Sequence, residues 1–134
     1  VTQILRDRFR SCRALVVESN HATDLLRVGP YPSSTKARIG GARGHLSNES
    51  LASFLRTDLG SSVEWLVLAH LSQVNNLPEL AELTCREALD AAGRSDVRVV
   101  VARQDRIAET VELDDRVAEF QYRAPPEHQA VLPF

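Results

Sequence analysis

A chain of 134 residues, 43% hydrophobic and 25% charged, has room for one globular core and not two. No stretch approaches the roughly 18 apolar residues that cross a bilayer, no charged segment followed by an apolar run opens the chain, and Cys12 and Cys85 lack the spacing of a zinc knuckle or a disulfide framework, so the reading is a soluble protein with reduced thiols in the cytoplasm. The net charge of −2 hides an asymmetry: residues 1–45 carry eight basic and three acidic side chains, a formal +5, which leaves −7 for the remainder.

In chain order, Thr2 is placed to cap a short helix that ends near Ser11 and has Ile4, Leu5 and Phe9 on one face. Arg6, Arg8, Arg10 and Arg13 then read first as a solvated side and second as a patch that attracts phosphate. Ala14 to Val17 is an apolar run rich in β-branched residues, short enough for a buried strand, and it stops at Glu18-Ser19-Asn20-His21. Residues 22–44 hold a helical turn, Thr23 to Arg27, within what is otherwise a loop region broken by Gly29, Pro30, Pro32, Gly40, Gly41 and Gly44. Ser47 or Asn48 caps the next helix, which carries Leu51, Ala52, Phe54, Leu55 and Leu59 on one side and ends before Gly60; His45 precedes the cap.

Val63 to Ala69 is the second strand and ends at His70. Trp65 alternates there with Val63 and Val67 and reads as a packing residue, and an aromatic content of 5% is too sparse for a platform on which single strands stack. Leu71 to Leu77 is a polar loop, Pro78 suits a helix first turn, and Leu80, Ala81, Leu83, Ala88 and Ala91 are expected on the inner face of a helix closed by Gly93. A third strand follows at Val97 to Ala102, Ile107 to Leu113 adds a small strand, and residues 114–134, with Pro125, Pro126 and Pro133, form an extended tail. Strands alternating with helices indicate an α/β layered arrangement whose strand carboxyl ends gather on one edge, where ligands bind.

Three of the four histidines, His21, His45 and His70, fall on that edge with Glu18 nearby, and this is the main chemical signal; His128, in the tail, has no role. Imidazoles at strand ends suit metal binding, yet no H-x-H or H-x-x-x-H spacing occurs, and the chain does not supply the ligand set of a two-metal centre. Lys36, the one lysine, with Arg38 beyond it, either holds a substrate phosphate or is solvated. Asn75 and Asn76 either bind a backbone phosphate or make a turn.

Five loop motifs, taken in order, carry a resemblance: Glu18-Ser19-Asn20-His21, Gly29-Pro30-Tyr31-Pro32, Gly44-His45-Leu46-Ser47-Asn48, Leu68-Ala69-His70-Leu71-Ser72, and Asn75-Asn76-Leu77-Pro78-Glu79-Leu80-Ala81. Together they resemble the C-terminal motifs of a bacterial metallo-β-lactamase-fold family, the WalJ-type (YycJ-type) exonuclease-like phosphodiesterases, over about Val1 to Leu113. The resemblance implies the C-terminal half of an αββα fold over residues 1–113, cut from a two-metal phosphodiesterase that degrades nucleic acid from an end. It further implies that His70 is the last metal-binding histidine of the fold. His45 is similar to the histidine that protonates the leaving group in ribonuclease-type members such as tRNase Z, Glu18 to the carboxylate that orients it, and His21 belongs to the Asn-His element of the catalytic set. The cofactors implied are two divalent cations, zinc or manganese.

The departures are specific. The family's H-x-H-x-D-H motif, a further histidine and a bridging aspartate are missing from this sequence, and Ala22 stands where the Asn-His element usually continues with aspartate. The chain opens at Val1, contains no methionine and begins with no strand or turn, so the N-terminal half of the domain is expected upstream. Two other readings stay open: a hydrolase of the same fold acting on a small ester, lactone or cyclic nucleotide, and a non-catalytic binding module whose histidine loops frame an interface.

Overall fold

The computed structural model describes residues 3–114; Thr2 and residues 115–134, with the expected helix cap and nearly all of the expected tail, lie outside them. The order of elements is α1 (Gln3–Phe9), β1 (Ala14–Glu18), α2 (Thr23–Val28), α3 (Ser33–Ile39), α4 (Asn48–Asp58), β2 (Trp65–Ala69), α5 (Pro78–Ala91) and β3 (Arg98–Val101). The strands form one parallel sheet in the order β1-β2-β3, paired Leu15 to Leu66 and Leu66 to Val99.

Alternation along each strand decides which face is covered. Leu15, Val17, Leu66 and Leu68 point into a core closed by Leu51, Ala52, Phe54 and Leu55 of α4 and by Ala81, Cys85, Ala88 and Leu89 of α5. On both helices those residues recur at the spacing of a single helical stripe. Ser47 caps α4 by accepting a hydrogen bond from Ser50 N at 3.1 Å. At the other end of α5, Gly93, at φ +68°, closes the helix while Arg94 N returns to Leu89 O at 2.8 Å. Burial pushes the Cys85 thiol up to about 12, which keeps it an inert core residue.

Several expectations are corrected. The helical turn expected at Thr23 to Arg27 is present as α2, but α3 adds a second short helix where a loop was expected. The helix α1 buries no residue: Ile4 and Leu5 are exposed, and only Phe9 turns inward, edge-on to Phe54 with ring centroids 6.0 Å apart. On α5, Leu83 and Ala91 face solvent, because the inner stripe runs through Ala81, Cys85 and Leu89. Residues 107–113 form no strand, and Ile107 is exposed.

Two of the four N-terminal arginines are structural rather than solvated. Arg6 pairs with Asp58 of α4, and Arg13 grips both carboxylate oxygens of Glu64 at 2.9 and 3.0 Å and also Asp114. The Arg13 clamp ties the entry of β1 to the segment before β2 and raises the guanidinium pKa, chiefly through the Glu64 hydrogen bonds. Trp65 packs as expected, buried beneath the Arg98 guanidinium, whose carbon lies 4.9 Å from the ring centroid. Among the described residues no helix is long and apolar enough to cross a membrane.

Candidate functional site

The parallel order brings the carboxyl ends of β1 and β2 side by side, and Ser19 N extends their ladder to Ala69 O at 3.0 Å. Glu18 closes β1 and His70 follows β2, so register alone sets them as neighbours. His45 arrives from the third direction. The turn that carries it folds back on the end of α3, with His45 N donating to Ile39 O at 2.8 Å. Only glycine fits at position 44, since a Cβ there would lie 2.1 Å from Ile39 O and 2.3 Å from Arg38 O.

Glu18 is the hub. Its Oε1 lies 2.7 Å from Nδ1 of His45 and 2.5 Å from Nδ1 of His70, and its Oε2 accepts from Leu46 N at 2.9 Å. The two imidazoles stand edge to face with centroids 5.0 Å apart. Partial burial by itself would raise the Glu18 pKa, but the hydrogen bonds from Leu46, His45 and His70 outweigh it and hold the group below the ordinary carboxylate value. A carboxylate that contacts Nδ1 of each ring leaves Nε2 of each ring as the outward nitrogen.

The backbone of His70 is unusual. Its φ of 58° makes it the one non-glycine residue at positive φ among the described residues. Asn20 secures it: Asn20 Nδ2 donates to His70 O at 2.8 Å, while its own N reaches Leu46 O at 2.8 Å and its O accepts from Ser72 N at 2.8 Å. One residue therefore stitches together the loops that carry His45 and His70. Beneath it, Ser19, Asn48 and Asn76 form a buried polar knot. Ser19 Oγ donates to Asn48 Oδ1 at 2.7 Å, the two amides exchange bonds at 2.9 and 3.0 Å, and Asn76 Nδ2 also donates to Ser19 O. Sequence reasoning missed Ser19, Asn20 and Asn48; the available signal was the run of small amides inside the histidine motifs.

The other candidate residues separate. His21 is 2% exposed and lies outside the Glu18 cluster, with Nδ1 3.4 Å from Asn20 Oδ1. Burial, more than its charged neighbours, holds the imidazole below its ordinary pKa. Together with Glu18 and His45 it lines a cleft of about 640 Å³ whose apolar wall includes Phe9 and Val16. Lys36 reaches back to Arg27 O at 2.7 Å and caps α2. Asn75 and Asn76 are 1% and 4% exposed, so their burial runs against the expected phosphate contact; Asn76 is saturated by protein partners, and the Asn75 amide packs on Gly29. Arg38, by contrast, opens onto a second cleft that His45 and His70 also line.

Donor atoms of Glu18, His45 and His70 all lie within 4.8 Å of one another, and among the described residues this is the one cluster of its kind. One carboxylate and two imidazoles suit a divalent cation that takes nitrogen and oxygen ligands. Glu18 already holds Nδ1 of both rings, so what the cluster offers a cation is the Nε2 nitrogens; a two-cation centre needs more donors than it holds.

With the geometry in place, comparison with known proteins adds a direction. The chain is 36% identical over 93 residues to an exodeoxyribonuclease YycJ of Bacillus anthracis, a match that covers 69% of this chain and 35% of that protein. It is 42% identical over 69 residues to an exodeoxyribonuclease WalJ of Streptococcus pneumoniae serotype 2, covering 52% of this chain and 26% of that relative. The matched stretch thus spans about a third or less of the length of these curated relatives. No protein-family model matches the chain, and no solved structure does.

Proposed function

We propose that these residues carry part of the active site of a metal-dependent hydrolase of the metallo-β-lactamase fold, a phosphodiesterase that removes nucleotides from a nucleic-acid end. The observation that carries the reading is Glu18 joined to both His45 and His70 at the edge where parallel strands end. The exodeoxyribonuclease relatives support the substrate class.

His70, with Glu18 on its Nδ1, offers Nε2 as a cation ligand. His70 would hold a divalent cation there, whose chemistry would be Lewis-acid polarisation of a phosphoryl oxygen. Glu18 fixes the His45 tautomer by accepting the Nδ1 proton, and His45 delivers a proton from Nε2 to the departing oxygen. The remaining ligands of a two-cation set would come from the N-terminal half of the domain that the resemblance implies. His21, buried, with its O accepting from Asn48 N at 2.9 Å, supports the loop behind His45.

The test is hydrolysis of end-labelled linear DNA by the complete gene product with manganese or zinc. His45→Ala should lower kcat by about 10² to 10⁴ while circular dichroism stays unchanged, and a chelator should stop turnover. The 134 residues alone should neither retain stoichiometric metal nor cut DNA. Turnover of a small ester or lactone with DNA left intact would replace this reading with the small-molecule hydrolase, and robust DNA cleavage by the 134 residues would show that their ligand set is complete.

A further inference from the structure

The second cleft, of about 400 Å³, runs beside His45 and His70 and is lined by Tyr31 and Arg38 among other residues. Three observations make it more than a gap. Lys36, the neighbouring cation, is tied to Arg27 O, whereas the exposed Arg38 side chain makes no ion pair or hydrogen bond among the described residues. The Tyr31 side chain, half-buried in the cleft, also makes no hydrogen bond among them. Its backbone is held on both sides: Pro30 precedes it, and Pro32, which begins the turn into α3, confines it to extended conformations. An aromatic residue on a restricted backbone loses less entropy than a free one when a flat ligand lies on its ring.

We infer that this cleft receives one unpaired nucleotide of the substrate, its base stacked on Tyr31 and a flanking phosphate held by Arg38. The inference rests on the phosphodiesterase reading and narrows it to ends whose terminal base is free of its partner. A terminal base still in a duplex keeps one open face, but it brings its paired partner with it, and a cleft of about 400 Å³ leaves room for one nucleotide. Stacking accepts every base, so the site selects for single-strandedness and not for sequence. The low aromatic content of the chain argues against a long platform, but one base needs only one ring.

The probe is a fluorescein-labelled oligothymidylate, and binding to the complete gene product is followed by anisotropy in EDTA, where no hydrolysis occurs. Tyr31→Leu should weaken binding about tenfold, and Tyr31→Phe should bind as the native protein does. Arg38→Gln should weaken binding and reduce its dependence on salt by about one phosphate contact. Lys36→Gln should leave binding unchanged. Native-like affinity in Tyr31→Leu, an equal loss in Tyr31→Phe, or no oligonucleotide binding by the native protein would each overturn the subsite. The phosphodiesterase reading is judged separately, by metal-dependent hydrolysis and its loss in His45→Ala.

Discussion

At the scale of single residues, His70 sets side-chain placement against backbone preference. A histidine at φ 58° sits where a Cβ is disfavoured, and it is retained there because the strand end and Asn20 fix the carbonyl while Glu18 takes the ring. Two substitutions separate the side chain from the backbone. His70→Gly and His70→Ala both remove the imidazole, yet only alanine keeps a Cβ, so the glycine variant should be the more stable by about 1 kcal/mol in urea unfolding with EDTA present. Equal stabilities would mean that the backbone relaxes out of the left-handed region once the ring is gone. On the proposed reading both variants should lose metal-dependent hydrolysis of end-labelled DNA, since the His70 ring nitrogen is the proposed cation ligand.

At the scale of elements, the short helices explain both what the sequence disclosed and what it hid. The strands were legible because each is a run of apolar residues bounded by polar ones, and α4 and α5 because their buried residues recur with helical period. The helix α2 buries only Leu26 and α3 buries no residue, so neither carries a periodic signal. They are held by contacts that cross the chain: Lys36 on Arg27 O, and Glu49 of α4 accepting from Thr23 N at 3.1 Å and Thr23 Oγ1 at 2.7 Å. The same limit hid the polar knot. Glu18, His45 and His70 stand out by chemistry, but the use of Asn20 and Asn76 emerges only when three loops meet.

The Glu49 tie is open to test by pH. Burial alone would raise its carboxyl pKa, but the hydrogen bonds led by Thr23 lower it below the ordinary 4.5. A folded-state pKa below the unfolded one means a contribution that is complete above 4.5 and is withdrawn as pH falls through the lower folded value. Glu49→Gln should therefore be less stable than the native chain at neutral pH, and the gap between their urea midpoints should close in steps below pH 4.5. A gap independent of pH would place the Glu49 contribution in packing rather than charge. The turn after α3 makes a parallel case. Gly44→Ala drives a methyl into the carbonyls of Arg38 and Ile39, so it should lower activity by displacing His45 even though it touches no substrate.

At the scale of the whole molecule, the helices among the described residues cover one face of the sheet, whereas parallel strands are commonly covered on both; on the other face Trp65 and Val100 are buried and the β1 edge is open. Val16 and Val17 sit next to each other on β1 and point to opposite faces, and they are 71% and 8% exposed. Valine to threonine keeps the shape and the strand preference of the side chain and adds a hydroxyl, so the same change probes both faces. Val17→Thr places that hydroxyl in the core and should cost about 1 to 3 kcal/mol in urea unfolding. Val16→Thr leaves it in water and should cost less than about 0.5 kcal/mol. Similar costs would mean that the outer face is packed as tightly as the inner one. Repeating the pair in the complete gene product turns the comparison into a footprint. A layer that seats on β1 beside Glu18 would raise the cost of Val16→Thr and leave that of Val17→Thr where it was, because only the first residue would change its surroundings.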